Sequence, residues 1–519
     1  MIYEEIASEL KRSFPLNKEK INQIKTKIAK KYNLGRIPSN SEILEHLNEN
    51  DRKLLLPYLR RKPVRTISGI AVVAVMARPY PCPGECIYCP RGENAPQSYT
   101  GKEPAALRAI RAGYDPYIQT KSRIEQLEKI GHPTDKIELI VMGGTFPAQP
   151  EEYQEYFVRR CLDAMNSSSS KDIEEAQMIN EKAKHRCVGI TFETRPDFAR
   201  EREVDLMLRY GVTRVEIGVQ TLSDEIYKFV RRGHGVKEVI EATRILKDAG
   251  LKVGYHLMLG LFSTPERDIE MFKTVFNDEN FKPDVIKIYP TLVIEGTELY
   301  EMWKRGEYEP YTEKEAVDVI VKVKQMMPKW MRTMRIQRDI PAQLIKAGVK
   351  RGDLGAMVYA KMRELGIKCR CIRCRDVGHL MYKEGIRVDE SSISLLHERY
   401  RASSGEEHFI SIEDTKNDAL IAYLRMRFPS PKAHRKEINT KTALVRELRV
   451  LGPAVPLGKR IENAEQHRGY GAKLLEKAEE IAIEHGKEKI LVTSAIGTRE
   501  YYRRFGYKRM GPYMGKILR

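Results

Sequence analysis

No apolar run in this sequence approaches the ~20 residues that a helix needs to cross a bilayer, which removes a helical membrane span from the readings. The opening Met1-Ile2-Tyr3-Glu4-Glu5 lacks a basic segment followed by an apolar one, so no secretory leader is expected. Cysteine is scarce and unevenly placed: eight residues in 519, in two tight groups plus the isolated Cys161 and Cys187. That distribution is unlike the disulfide framework of a secreted domain, and it suits a reducing compartment and metal sites. Acidic residues fall short of basic ones, 72 against 91, leaving a formal net charge of +19. Such an excess favours polyanionic partners through counterion release and steering, nucleic acid first. A cytoplasmic protein of two or three domains is expected, because 519 residues exceed one ordinary core.

What is present starts with Cys82, Cys86 and Cys89, in a C-x3-C-x2-C loop just after the apolar run Ile70 to Met76. Four thiolates would close an iron-sulfur cluster; three on one short loop leave one iron open to a small molecule. A zinc site, or a structural cluster completed by a distant ligand, is the plainer alternative. The spacing resembles the signature of radical S-adenosylmethionine (SAM) enzymes, which implies a [4Fe-4S] cluster whose open iron chelates SAM and yields a deoxyadenosyl radical.

Residues 1–65 are expected to form a basic helical region, with Ile6, Leu10, Ile21, Ile24, Ile28, Leu44 and Leu54 to Leu56 at helical spacing and a charged face that suits RNA or plain solvation equally. Its cations include Lys25, Lys27, Lys30, Lys31, Arg36, Arg60, Arg61, Lys62 and Arg65. Residues 66–365 alternate strands with helices: Ile70 to Met76, Ile137 to Met142, Val188 to Phe192, Arg214 to Val219, Val253 to Met258 and Val285 to Tyr289. This α/β order predicts parallel βαβ units with functional groups at the C-terminal strand ends, and the resemblance of the cysteine loop implies that they form a partial (β/α) barrel of radical SAM type. Arg335 to Pro341 is expected to be a last barrel strand. Gly143, Gly144 and Thr145, then Glu193, Thr194 and Arg195, then Gln220, follow successive strands and are candidates around SAM. Thr145 stands where the superfamily usually has Glu, so that contact would come from backbone carbonyls or the hydroxyl.

Residues 366–394 hold Cys369, Cys371 and Cys374, a zinc loop in need of a fourth ligand, for which His379 is the nearest candidate; a second iron-sulfur cluster is the alternative. Residues 395–519 form a separate unit with strands at Phe409 to Asp414, Ala419 to Arg427, Ala443 to Val450 and Lys489 to Thr493. Between the last two, Gln466-His467-Arg468-Gly469-Tyr470-Gly471-Ala472 opens the helix Lys473 to His485, a turn suited to pyrophosphate. This order resembles the GNAT-type N-acetyltransferase fold, a C-terminal acetyl-CoA-binding domain. The resemblance implies that Glu447, Leu448, Arg449 and Val450 pair with the pantetheine arm and that Tyr470, Gly471 and Ala472 meet the pyrophosphate. It places Tyr502 near the CoA sulfur, where it could protonate a departing thiolate.

Matching words along nearly the whole chain, among them Gln97 to Gly101, Arg108 to Arg111, Tyr114 to Tyr117, Met142 to Phe146 and Gly497 to Arg499, resemble the Elongator protein 3 family in its single-chain archaeal form. The resemblance implies a tRNA wobble-uridine carboxymethylating enzyme acting at the anticodon. The SAM-derived radical would activate the methyl of acetyl-CoA for addition to uridine C5, and thioester hydrolysis would leave carboxymethyluridine. It assigns Lys136 to acetyl-CoA, and implies an electron donor and no need of other Elongator subunits; a homodimer is left open. The family's His-x-Met-Pro stretch appears as His256 to Phe262 without the proline. A protein lysine acetyltransferase with a structural cluster, and a non-catalytic tRNA-binding scaffold, are the competing readings.

Overall fold

The N-terminal pattern folds as four short helices, α1 (Ile2–Arg12), α2 (Lys18–Lys31), α3 (Asn40–His46) and α4 (Glu49–Leu59), in a computed structural model that describes residues 2–60, 66–452 and 469–518. Side chains of Asn17, Ser39 and Asn48 cap the starts of α2, α3 and α4. Ile6, Leu10, Ile21, Ile24, Ile28, Leu44 and Leu55 meet in a small core of their own. Some of the cations expected here make internal pairs while three of them stay exposed. Lys25 is buried and bonded to the Asn40 side chain at 2.9 Å, while Lys27, Lys31 and Arg36 face Glu9, Glu5 and Glu42. Arg61, Lys62 and Arg65 lie outside the described residues.

The central domain is a curled, all-parallel sheet in the order β1 (Ala71–Met76), β2 (Lys136–Met142), β3 (Arg186–Thr194), β4 (Arg214–Gln220), β5 (Lys252–Leu259), β6 (Val285–Pro290) and β8 (Arg332–Ile336). A two-stranded sheet of β7 (Val293–Ile294) and β9 (Ile345–Ala347) lies apart from it. Residues 337–341, expected in the last strand, lie beyond its end. The outward positions of the strands, such as Ile137, Leu139, Val141, Val215, Ile217 and Val219, share one core with the helices. The inward positions carry charges instead: Lys136, Glu138, Glu193, Arg214, Glu216, Lys252 and Lys287.

The C-terminal domain is a second seven-stranded sheet in the order β10 (Ile393–Ala402), β11 (Gly405–Asp414), β12 (Ala419–Phe428), β13 (Thr442–Val450), β14 (Lys489–Val492), β16 (Tyr513–Ile517) and β15 (Lys508–Met510). Parallel pairing of β13 with β14 stops at Val445 and Val492, so residues 446–450 splay away with open backbone, as the acetyltransferase resemblance implied. The helix Tyr470–Glu484 packs beneath the sheet through Leu474, Leu475, Ala478 and Ile481. The strand β10 was read only as the start of the domain, because its side chains are mostly exposed and show no alternation.

The two sheets are joined by a buried ion network. Arg446 on β13 forms a two-pronged pair with Asp284, just before β6, at 2.6 and 2.7 Å, and reaches Glu407 on β11 at 2.7 Å. Arg427 on β12 binds Asp248, at the end of the barrel helix Val236–Asp248, at 2.7 Å and Glu407 at 2.9 Å. All these side chains are essentially without solvent exposure. Removing one member strands a buried charge, so Asp284→Ala is expected to lower stability by ~3–5 kcal/mol in denaturant unfolding. Burial alone would raise the Glu407 carboxyl, but Arg446, then Lys247 and Arg427, outweigh it and hold it down to about 2. A depressed carboxylate stabilises the fold above its unfolded value and loses that contribution as pH falls through the folded value. Unfolding midpoints should therefore drop between about pH 4 and pH 2, and less so in Glu407→Gln.

Candidate active site

The loop after β1 carries Cys82 and Cys89 half-buried and Cys86 buried. It is pinned from below by the Ile87 amide on the Val230 carbonyl at 3.3 Å, and from the side by Gln97, which donates to the Gly84 carbonyl at 3.1 Å. Arg232, which sequence reasoning missed, places Nη1 3.4 Å from the Cys86 sulfur and donates through Nη2 to the Gly218 carbonyl at 2.6 Å. A hydrogen bond with Cys89, working against burial and helped by Arg232, pulls the Cys86 thiol down to about 5. A Cβ at Gly84 would lie 1.9 Å from Arg195 Nη1, a buried N–H without a hydrogen-bond partner among the described residues, so a side chain there would displace that guanidinium. Thiolates flanked by two guanidiniums, one with an unused donor, fit an anionic cluster and a chelated carboxylate. A cavity of about 480 Å³ opens over the loop, lined by Tyr80, Cys82, Gly84, Glu85, Arg91 and Gln97.

The expected SAM residues gather near this end. Gly143 and Gly144 end β2 at φ +126 and +74, which favour glycine, and the Thr145 hydroxyl lies 3.8 Å from the Cys82 sulfur. Gln220 ends β4 at φ +68. Glu193 is bound by Lys287 at 3.0 Å and by the Tyr99 hydroxyl at 3.1 Å. Arg195 is tied to Asp197 by a two-pronged pair at 2.9 and 2.8 Å. The turn after His256, which lacks the family proline, closes at Gly260, whose amide donates to Asp268 at 2.7 Å.

At the opposite, N-terminal strand ends lies a larger cavity of about 700 Å³, walled by both domains. The barrel contributes Lys136, Glu138, Arg214 and Lys252; the acetyltransferase-like domain contributes Glu447 to Val450, Tyr470 to Ala472, and Tyr502. Every described residue that the sequence assigned to acetyl-CoA thus lines one space; Gln466, His467 and Arg468 lie outside the described residues. The Glu447 side chain is engaged by Arg425 at 2.9 Å and Lys252 at 3.6 Å, which leaves its backbone as the part open to a ligand. Burial pushes the Lys136 ammonium below its ordinary value and the Tyr502 phenol well above. The phenol therefore keeps its proton at neutral pH.

The sulfurs of Cys369, Cys371 and Cys374 lie within 4.8 Å of one another, compatible with thiolates sharing one ion at Zn–S bonds of about 2.3 Å. His379 is not among the ligand groups gathered there; the nitrogen beside the sulfurs belongs to Lys324, 3.4 Å from Cys371 and 3.5 Å from Cys374. Nothing in the local sequence pointed to Lys324, which comes from a helix and precedes Cys371 by 47 positions. Of the charged residues inside the barrel, Glu138, Arg214, Glu216, Lys252 and Lys287 were also missed, although the alternation Arg214-Val215-Glu216 is a signal, since parallel strands covered on both faces usually run apolar.

Family models match along the chain: the ELP3 N-terminal domain at residues 1–67, the radical SAM superfamily at 80–275, the radical SAM C-terminal domain at 283–364 and the acetyltransferase (GNAT) domain at 460–516. The sequence is 58% identical over 527 aligned residues to the tRNA uridine(34) acetyltransferase of Methanocaldococcus jannaschii, covering 100% of this chain and 97% of that protein. It is 46% identical to Elongator complex protein 3 of Homo sapiens over 96% of this chain and 93% of the human one. The solved structure of the archaeal Methanocaldococcus infernus Elp3 with an N-terminal deletion superposes with a TM-score of 0.79 at 56% identity, covering 87% of this chain and 100% of that one. With both cofactor-type domains matched and relatives aligned end to end, the chain belongs to the Elongator complex protein 3 family.

Proposed function

We propose that this chain carboxymethylates the wobble uridine of tRNA, using SAM and acetyl-CoA. The observation that carries this reading is the cavity of about 700 Å³ in which acetyl-CoA-type residues of one domain face the strand ends of the radical SAM barrel. SAM bound at a cluster on Cys82, Cys86 and Cys89 would supply a deoxyadenosyl radical able to take a hydrogen atom from the acetyl methyl group. Gly143, Gly144, Thr145 and Gln220 border SAM in this reading, with Arg195 available to its carboxylate. The splayed backbone of Glu447 to Val450 pairs with pantetheine, and the amides of Tyr470 to Ala472 at a helix start receive the pyrophosphate. Lys136 holds the acyl end by charge, and Tyr502 returns a proton to the departing thiolate. The surplus of basic residues attracts the tRNA backbone.

The protein acts as a single chain in the cytoplasm, fed by an electron donor; no helix among the described residues is long and apolar enough to cross a membrane. Cys369, Cys371 and Cys374 hold a zinc ion that braces the junction of the domains, with a fourth ligand other than His379.

Two measurements test this. After anaerobic reconstitution with SAM, acetyl-CoA and tRNA, nucleoside mass spectrometry should detect carboxymethyluridine. Cys86→Ala should abolish it and Lys136→Ala should lower the rate by at least about tenfold, a loss of ~1.4 kcal/mol in transition-state stabilisation. Acetylated protein lysines without SAM, or modified tRNA from Cys86→Ala, would favour the competing readings. Metal analysis of the purified protein should find about one zinc per chain, and its chelation should lower the thermal midpoint. A zinc-free protein of unchanged midpoint would count against the brace.

A further inference from the structure

The proposed cofactor ends lie at opposite ends of the barrel strands. Strands such as β2 and β4, of seven residues each, separate them by roughly 20 Å at ~3.3 Å per residue. The space between is crossed by one continuous chain of polar contacts. Glu138, on the wall of the acetyl-CoA cavity, meets Arg214 at 2.5 Å. Arg214 reaches Glu216 Oε1 through Nε at 3.1 Å. The other oxygen of Glu216 holds His256 Nε2 at 2.9 Å and the Lys287 ammonium. Lys287 continues to Glu193 at 3.0 Å, and Glu193 accepts from Tyr99 at 3.1 Å. The Tyr99 carbonyl accepts from Gly92, and neighbouring Gln97 grips the cysteine loop at Gly84.

Glu216 is 1% exposed and Arg214 5%, so these charges sit where apolar packing would cost less. Glu193, Glu216 and His256 bring donor atoms within 4.8 Å of one another, as a metal site would, but the Lys287 ammonium already lies between the two carboxylates. The chain is therefore a relay of ion pairs. Within it Glu216 binds one neighbour on the acetyl-CoA side with one oxygen and two on the SAM side with the other.

We propose that Glu216 is a positioning residue that couples the acetyl-CoA cavity to the SAM end of the barrel, through Arg214 on one side and Lys287 on the other. The inference rests on the two cofactor sites assigned above. An acyl arm entering the cavity meets Glu138 and Arg214, and any shift of Arg214 leaves Glu216 to rebalance against His256 and Lys287. A buried charge left unpaired is too costly to persist, so the adjustment passes along the relay. Occupancy of one end fixes the relay in one arrangement, and the second ligand then binds to an end already set.

The test measures binding, without tRNA and without reductant, on the anaerobically reconstituted holoenzyme. SAM is titrated with and without saturating acetyl-CoA analogue in which a methylene replaces the thioester sulfur. Coupled sites predict that the analogue tightens SAM binding at least about fivefold, the lower end of ordinary allosteric coupling. Glu216→Gln should reduce that factor below about twofold while both ligands still bind. Lys287→Met, which breaks only the SAM-side half, should do the same and stands in if the first variant fails to fold. A merely structural role would weaken both ligands and leave the ratio unchanged. Absence of coupling in the unaltered protein, or full coupling in the folded variants, overturns this proposal alone. Failure of either ligand to bind singly overturns the site assignment and this proposal with it.

Discussion

The two-pronged pair between Arg446 and Asp284 is the contact on which the rest of the molecule depends. Arg446 sits at the point where β13 leaves β14, and Asp284 stands just ahead of β6 at the N-terminal end of the barrel. One ion pair thus fixes the splayed strand of the acetyltransferase-like domain against the barrel's open base. Glu407 and Arg427 extend it to Asp248, so that two domains distant in sequence hold a common wall. Burial is what makes this fastening decisive: at the surface such pairs contribute little, whereas breaking one here leaves a charge with no solvent to turn to.

That fastening bounds the cavity between the domains. The cavity between the domains exists because β13 is held at its first half and free at its second. The cysteine loop lies at the far end of the same strands, framed by Arg232 and Arg195. Inside the barrel, charge replaces the usual apolar filling, from Glu138 through Glu216 to Glu193. The architecture is a barrel with a cysteine loop at one end, an interdomain cavity at the other and a polar interior between them.

Much of this was legible in the sequence, for identifiable reasons. The cysteine loop and the paired glycines at Gly143 are local patterns whose chemistry requires fixed spacing, and the splayed strand Glu447 to Val450 followed from the resemblance to the acetyltransferase fold. The strands of the barrel were visible because their outward faces are apolar at every second position. Contacts made across long separations were not. Arg232 meets Cys86 across 146 positions and Lys324 meets Cys371 across 47, and neither lies in a pattern that announces its partner. His379 was the natural candidate for a fourth ligand because it is near in sequence, yet its ring nitrogens are not among the ligand atoms gathered with the sulfurs. The N-terminal cations Lys27, Lys31 and Arg36 are solvent-facing, and the carboxylates that pair with them were not foreseen.

The central claim is that both ends of the barrel serve one reaction. It is tested most directly by supplying acetyl-CoA deuterated in its methyl group to the reduced holoenzyme with SAM and tRNA, and recovering the 5'-deoxyadenosine formed. Deuterium carried into the deoxyadenosine, with the remaining two methyl deuteriums retained in the modified uridine, is the predicted result. Deoxyadenosine free of deuterium alongside modified tRNA would contradict it, because the radical would then have drawn its hydrogen from somewhere other than the acetyl group.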